Sequence, residues 1–361
     1  MKLALVTGIT GQDGSFLAEF LLKKNYKVIG IKRRTSILHT SRVDNLYNLK
    51  KYKKKFKLVY GDLTDSLNII SIIKKYQPDE IYNLGAQSHV QVSFEQPLYT
   101  LDVNALGCLR ILEAIRILNF KKKIKFYQAS SSEMYGNSGS KFQNEETKFN
   151  PVSPYAASKV LAQHLTEIYN RAYGIHASSG ILFNHESNAR GETFVSRKIT
   201  IGLAEFFLKN HNPIMLGNIY AKRDWGHAKD YVEMQWKILQ QKKPSTYVIS
   251  TGKVHTIKDF ITKSLEVYET KIKWLNKGLK EVGIVDSKSK IILNGNTYTF
   301  NLVGKKIIAI DKKYYRPLEL EYLRGDSSKA KKIIKWKPKY NFDKLVNEMV
   351  KSDFQKILNE K

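Results

Sequence analysis

Cysteine occurs once in 361 residues, as Cys108. It falls in an apolar helical pattern and can form no internal disulfide, so the chain fits a reducing compartment and the thiol is expected to pack. Long apolar runs are also missing. None approaches the ~20 residues that cross a bilayer as a helix, and Met1-Lys2 leads straight into Leu3–Thr7, too short for the apolar region of an export signal. A cytoplasmic protein with no membrane partner is expected. Neither an internal repeat nor a clear interdomain linker is visible. A 361-residue chain that is 42% hydrophobic can bury one large core or two medium ones, and two closely joined domains are expected.

Acidic residues are scarce, 33 against 61 Lys and Arg, leaving a net charge of +28. Basic patches attract phosphate backbones, but the lysines here are scattered, as in Lys50-Lys51-Tyr52-Lys53-Lys54-Lys55 and Lys121-Lys122-Lys123, without a groove-reading motif. No nucleic-acid partner is expected, and salt-sensitive retention of DNA or RNA would show otherwise. Arginine is more selective. Where lysine supplies generic charge, an arginine marks planar, bidentate recognition of phosphate, and Arg33, Arg34, Arg42, Arg190, Arg223 and Arg316 all fall in candidate ligand loops.

Leu3–Thr7 reads as a buried strand, Gly8-Ile9-Thr10-Gly11-Gln12-Asp13-Gly14 as a glycine turn, and Ser15 to about Lys24 as a helix. Such a turn lets backbone approach a dinucleotide pyrophosphate at the positive end of the helix dipole, although G-x-x-G-x-x-G differs from the commoner G-x-G-x-x-G. After the next strand, Lys27–Ile31, the position of an acidic ribose ligand holds Lys32-Arg33-Arg34-Thr35-Ser36, which points to a 2′-phosphate and hence NADP. A third strand, Phe56–Tyr60, ends at Asp62-Leu63, where the carboxylate suits an adenine amino group or a turn. A fourth, Asp79–Leu84, opens into Gly85-Ala86-Gln87-Ser88, small enough to pass a nicotinamide ribose. Tyr99 suits packing and cofactor contact equally well. Strands alternating with helices predict a Rossmann-like, doubly wound, mostly parallel α/β sheet with a smaller α/β substrate-binding C-terminal domain.

The chain is organised around residues 129 to 159. Ala129-Ser130-Ser131-Ser132-Glu133 follows an apolar strand at Ile124–Gln128, and Ser153-Pro154, an N-cap and a first-turn proline, opens a helix carrying Tyr155 and Lys159. The i, i+4 spacing sets an ammonium near a phenol, which favours the phenolate and makes a base of it. With 21 tyrosines in the chain, the spacing alone is weak and its context carries the inference. Beyond, the strand Ala177–Phe183 opens into the polar loop Asn184–Gly191 at a sheet end, where open α/β folds bind ligands. A helix follows from Phe194 through Lys198, and the loops around Arg223 and Arg316-Pro317-Leu318-Glu319 add cations with aromatic neighbours. Residues 286 to 310 suggest a surface hairpin or flexible insertion.

The segments Thr7–Gly14, Tyr82–His89, Leu182–Ser187 and Lys222–Asp230 together resemble the extended short-chain dehydrogenases/reductases, and within them the GDP-mannose 4,6-dehydratase family, over nearly the whole chain. The resemblance implies a Rossmann domain over 1–183 with a return near 218–250, and a mainly GDP-sugar-binding domain over 184–361. It implies NADP contacts from Gly8, Ile9, Thr10, Gly11, Gln12, Asp13, Arg33, Arg34, Thr35, Ser36, Asp62, Leu63, Leu84, Gly85, Ala86, Gln87, Ser88, Tyr99, Lys159, His185 and Arg190. It implies catalysis by Ser131, Glu133, Tyr155 and Lys159, GDP-sugar contacts from Asn184, Lys198, Arg223, Arg316 and Glu319, no metal, and a homo-oligomer, a dimer or a tetramer in which residues 33 to 42 reach a neighbouring cofactor site.

Two departures from the family pattern stand out. Ser131 replaces the usual threonine, and Asn188-Ala189 replaces a proline-arginine pair. The first keeps the hydroxyl and adds room, so the expected sugar is GDP-mannose or one bulkier at C6, GDP-D-glycero-D-manno-heptose. The rivals are an epimerase or reductase on the same scaffold, which needs no base at C5 and so leaves Glu133 unexplained, and a silent NADP-binding protein, which leaves all four catalytic-type residues unexplained.

Overall fold

The computed structural model describes residues 1–37 and 39–360 and divides the chain into two units. The first comprises Met1–His185, Ala228–Gly252 and Arg324–Pro338, and the second Glu186–His227, Lys253–Leu323 and Lys339–Lys361. The return of 324–338 has no counterpart in the sequence expectation. Its reason is packing: Trp336 is buried with Tyr231 and Ile238 of the other returning segment, and its indole donates to the Asp230 carbonyl at 3.2 Å.

In the first unit, β1 (Leu3–Thr7), β2 (Lys27–Lys32), β3 (Phe56–Tyr60), β4 (Glu80–Asn83), β5 (Lys125–Ser131) and β6 (His176–Leu182) join the strand Thr246–Ile249 in one seven-stranded sheet. The order runs Thr246–Ile249, β6, β5, β4, β1, β2, β3, with every pair parallel. Side chains alternate across the pleat, so Ala4 and Val6 enter one core with Leu17, Leu21, Val28 and Tyr127. Leu5 enters the opposite core with Ile29, Ile81, Leu112 and Phe126. Burial on both faces is why these strands read as unbroken apolar runs. The order reverses between β1 and β4, and ligands of doubly wound sheets bind at the carboxyl ends of the strands flanking that switch.

Most boundaries fall within a residue of the sequence reading, and three differ by three residues. Helix α1 runs Gln12–Lys23 rather than from Ser15, because Gly11 already takes the extended cap conformation. β5 continues past Gln128 to Ser131, since Ser131 still pairs in register with Leu182. The apolar pattern predicts a helix from about Asn104 to Leu118, and that helix becomes regular only at Gly107, after a π turn over Asp102–Leu106.

The second unit builds a four-stranded mixed sheet in the order Ile272–Leu275, Val282–Val285, Lys306–Ile310, Ile214–Leu216. Its core takes Ile199 and Leu203 from the helix Val195–Glu205, Phe260 from Ile257–Glu266, and Val350 and Phe354 from Phe342–Asn359. The strands Ser289–Leu293 and Asn296–Phe300 pair antiparallel about Asn294 and Gly295, whose φ values of 51° and 81° fit the left-handed turn that tight hairpins need. Ile291 and Leu293 bury into the core, so the hairpin is packed against its unit.

Candidate active site

The glycine turn is dictated by space. Gly8 sits at φ +65°, and a Cβ there would lie 2.8 Å from the Gly85 Cα. A Cβ on Gly14 would lie 2.2 Å from the Gly8 carbonyl oxygen. Gly11 donates its N–H to that same carbonyl at 3.0 Å and caps α1 without a side-chain acceptor. The result is a bare backbone cradle at a helix N-terminus, into which a larger residue would intrude, and it fits a pyrophosphate. Arg42 reaches the cradle from outside, donating to the Thr10 carbonyl at 3.3 Å.

Behind the cradle runs a buried polar ladder. Thr7 Oγ1 accepts from the Leu84 and Gly85 amides at 3.0 and 2.9 Å and donates to Asn83 Oδ1 at 2.8 Å. Asn83 in turn donates to Gln128 Oε1 at 2.8 Å. The loop Leu84–Ser88 is then fixed by Asn104, whose Oδ1 accepts from the Gln87 amide at 2.9 Å while Nδ2 donates to the Gln87 carbonyl and to Ser158 Oγ, both at 3.0 Å. Sequence reasoning missed Asn104 and the ladder; the available signal was polar residues inside otherwise apolar strands.

Asp13 does more than line the cradle. Its carboxylate lies 2.9 and 3.0 Å from His185 Nε2 and accepts from Gln235 Nε2 at 2.8 Å and Gln12 Nε2 at 3.2 Å. His185 Nδ1 faces the Phe183 carbonyl at 2.8 Å, and its ring stacks on Tyr231 with centroids 4.5 Å apart. Burial alone would raise the Asp13 acid, but His185 and the two amides together hold it below the usual carboxylate range. Gln235 is a second residue the sequence did not reveal.

The cationic stretch after β2 is exposed at Arg33, Arg34, Thr35 and Ser36. Arg33 donates to the Tyr99 hydroxyl, and Arg34 lies 5.2 Å from the Tyr60 ring centroid. Two residues weighed separately in the sequence, Arg33 and Tyr99, are thus neighbours. Asp62 Oδ1 accepts from the Thr64 amide and hydroxyl at 2.9 Å, forming a turn beside the buried Leu63.

At the end of β5, Ser131 Oγ accepts from the Glu133 amide at 3.2 Å, and both residues are buried. The 3-10 turn Ser132–Tyr135 packs on the helix Pro154–Tyr173, so Glu133 and Tyr155 lie on adjoining elements. That helix is set by Ser153, whose Oγ accepts from the Ala156 amide at 3.1 Å, and by Pro154 in its first turn. Lys159 Nζ donates to the Ala129 carbonyl at 2.9 Å and lies 5.9 Å from the Tyr155 ring centroid. Burial pulls the Lys159 ammonium down to about 8. Cys108 is buried as expected, its thiol pushed up to about 12 by desolvation.

In the second unit, Lys198 Nζ sits 3.3 Å from the Tyr314 ring centroid, and burial lowers its pKa. Arg223 Nη2 lies 3.6 Å from Glu319 Oε1, so two of the anticipated ligand residues pair with each other. Arg190 stacks 3.8 Å over Phe194. Asn184 belongs to the first unit, one residue before the boundary at His185. Among the described residues, no cluster of three or more His, Cys, Asp or Glu side chains is placed to hold a metal, and no helix is long and apolar enough to cross a membrane.

A glycine cradle at the switch point of a parallel sheet, with a serine-glutamate turn and a Tyr-x-x-x-Lys helix beside it, defines a Rossmann-like protein of the short-chain dehydrogenase/reductase type. Its fold is similar to that of a dTDP-glucose 4,6-dehydratase from Bacillus anthracis, with a TM-score of 0.75 at 20% identity over 99% of this chain and 97% of that one. More narrowly, the chain belongs to the GDP-mannose 4,6-dehydratase family, whose model, described as GDP-mannose 4,6 dehydratase, matches residues 5–349. Among its relatives, GDP-mannose 4,6-dehydratase of Vibrio cholerae serotype O1 is 52% identical over 355 residues, covering 98% of this chain and 94% of that one. The enzyme of the same name from Yersinia enterocolitica is 50% identical over 356 residues, with the same coverages.

Proposed function

We propose that the protein is a GDP-sugar 4,6-dehydratase that converts a GDP-manno-configured sugar to its 4-keto-6-deoxy derivative. The observation that carries this reading is the Ser131–Glu133 turn packed on the helix of Tyr155 and buried Lys159, in a chain of this family. The cofactor is NADP, held by the cradle Gly8–Asp13, by Leu84–Ser88, by Asp62 and Leu63, and by Lys159, His185 and Arg190. The choice of NADP over NAD is supported by Arg33, Arg34, Thr35 and Ser36, with Arg33 steadied by Tyr99. When bound, the nicotinamide supplies the redox chemistry, taking hydride from C4 and giving it back at C6, so the net change is loss of one water.

Tyr155 takes the O4 proton while Ser131 Oγ orients that oxygen. Lys159, cationic below about 8, stabilises the phenolate. Once C4 is a ketone, the C5 proton is acidic, and Glu133 removes it and passes it to the departing C6 hydroxyl, which leaves as water. C5 is reprotonated when C6 is reduced, at the expense of the proton Tyr155 took from O4, so both residues end as they began. GDP recognition is assigned to Asn184, Lys198, Arg223, Arg316 and Glu319, cations toward the diphosphate and the carboxylate toward ribose hydroxyls. The space left by serine at 131 supports a substrate bulkier at C6, GDP-D-glycero-D-manno-heptose, beside GDP-mannose.

A homo-oligomer accompanies this reading, a dimer or tetramer. Support comes from exposed apolar side chains, Leu98 and Leu101 on one helix and Leu161, Ile168 and Tyr173 on the adjacent Pro154–Tyr173 helix. Light scattering that found only monomer would count against it. For the activity, incubation with NADP⁺ and each GDP-sugar should give a product lighter by one water, and no such product from either sugar would reject it. The ratio of kcat/KM for the two sugars decides the substrate: clear preference for mannose would reject the heptose assignment.

A further inference from the structure

Residues 187–191, Ser-Asn-Ala-Arg-Gly, contain no proline and end on glycine, and Ser187 closes a turn within them, its carbonyl accepting from the Arg190 N–H at 3.1 Å and its Oγ from the Ala189 N–H at 3.0 Å. A second hold, on two carbonyls of that turn, comes from the helix that follows. Arg197, 4% exposed, donates through Nη1 to the carbonyls of Asn188 and Arg190, the latter at 2.9 Å. Its Nη2 lies 2.7 Å from Asp353 Oδ1. Asp353, 1% exposed on the helix Phe342–Asn359, also accepts from Thr200 Oγ1 at 2.5 Å. The loop's outer side is tied separately. Arg190 stacks on Phe194, and its Nε lies 3.1 Å from Glu186 Oε2, which accepts from Ser196 Oγ at 2.6 Å.

A buried ion pair is a weak source of stability, because desolvating both charges offsets most of their attraction. A guanidinium held on one edge by a carboxylate supplies something else, a rigid set of donors aimed at fixed points. Here those points are two carbonyls flanking Ala189, in the segment that presents Arg190. We propose that Arg197, locked by Asp353, is a positioning residue that sets the main chain of 188–190 and thereby the direction in which Arg190 meets the nucleotide cofactor. The cofactor half of this statement rests on the reading of Arg190 given above; the clamp itself does not.

The test uses the full chain with two readouts. Trypsin cuts after Arg190 through the carbonyl that Arg197 holds, so fragments ending at Arg190 report the clamp without any ligand. Asp353→Asn should raise that cleavage about tenfold, with cleavage in the Lys50–Lys55 run unchanged as an internal control. NADPH titration should show the dissociation constant raised about fivefold in D353N, about tenfold in R190A, and no further in the double variant, since both act through one side chain. Arg197→Lys keeps the buried charge but cannot span both carbonyls, so it should match D353N and covers the case in which D353N does not fold. Unchanged cleavage and affinity in either folded variant, or additive effects in the R190A background, would overturn the proposal. Wild-type protein that bound no NADPH would overturn the cofactor assignment instead, and the cleavage result alone would decide the clamp.

Discussion

The two units hold their candidate functional groups by different means. In the first, cradle, loop and the Ser131–Glu133 turn are main-chain features at strand ends, braced by side chains such as Thr7, Asn83, Gln128 and Asn104. In the second, the candidate ligand residues include long cations settled by other side chains: Lys198 on Tyr314, Arg223 by Glu319, Arg190 on Phe194 and by Glu186. Backbone cannot be rearranged without steric cost, whereas a lysine or arginine can change rotamer. The first unit therefore suits atoms that must be fixed for bond-breaking, and the second suits recognition of a group whose size can vary.

If that contrast is right, substitutions in the first unit depress kcat and substitutions in the second raise KM. The largest effect is expected at Tyr155 and Glu133. Tyr155→Phe should lower kcat by about 10³-fold with little change in KM, as loss of a general base does. Glu133→Gln should stop release of water to a similar extent. Rapid-quench mass measurement separates the two: E133Q still oxidises C4, and Y155F does not. A kcat for both variants near that of wild type would remove the proposed mechanism.

Next comes the cradle. Gly14→Ala should weaken NADPH binding by about a hundredfold or more, because the new methyl meets the Gly8 carbonyl oxygen at 2.2 Å, with backbone on both sides of the clash. Fluorescence titration reads this directly, and near-normal affinity would mean the turn does not carry the pyrophosphate.

A smaller change is expected in pH dependence. Lys159 is protonated below about 8 and loses its charge as pH rises through that value, so activity should fall on the alkaline side there. Lys159→Arg keeps the charge at any accessible pH and should move that limb upward, although a bulkier group at a buried site will lower the plateau. A limb that stays near 8 in K159R would assign it to another group.

The smallest effect tests the second unit. Arg316→Ala should raise KM for the GDP-sugar about tenfold while kcat stays within a factor of about two, the pattern of a contact equally strong in ground and transition states. An equal fall in kcat would erase the distinction between the units.

Much of the fold and part of the site could be read along the chain. The glycine turn is local because φ +65° at Gly8 and the missing Cβ at Gly14 are properties of single residues. Ser153-Pro154 and the Tyr155/Lys159 face are likewise written within one or two helical turns, and strand alternation exposes the sheet because both its faces are buried. The braces were not legible. Thr7 and Asn83 are 76 positions apart, and Asp13 and Gln235 are 222 apart. Nothing local sets Arg197 apart from the other cations of a basic chain, since its partner Asp353 is far along the sequence.

Sequence alone thus determined which backbone turns form and which reactive side chains share a helix face, since steric exclusion and helical spacing act over a few residues. Only the tertiary structure decided which polar side chain meets which. Burial makes an unpartnered polar group costly, and it leaves the choice of partner to whatever the packing brings within about 3 Å.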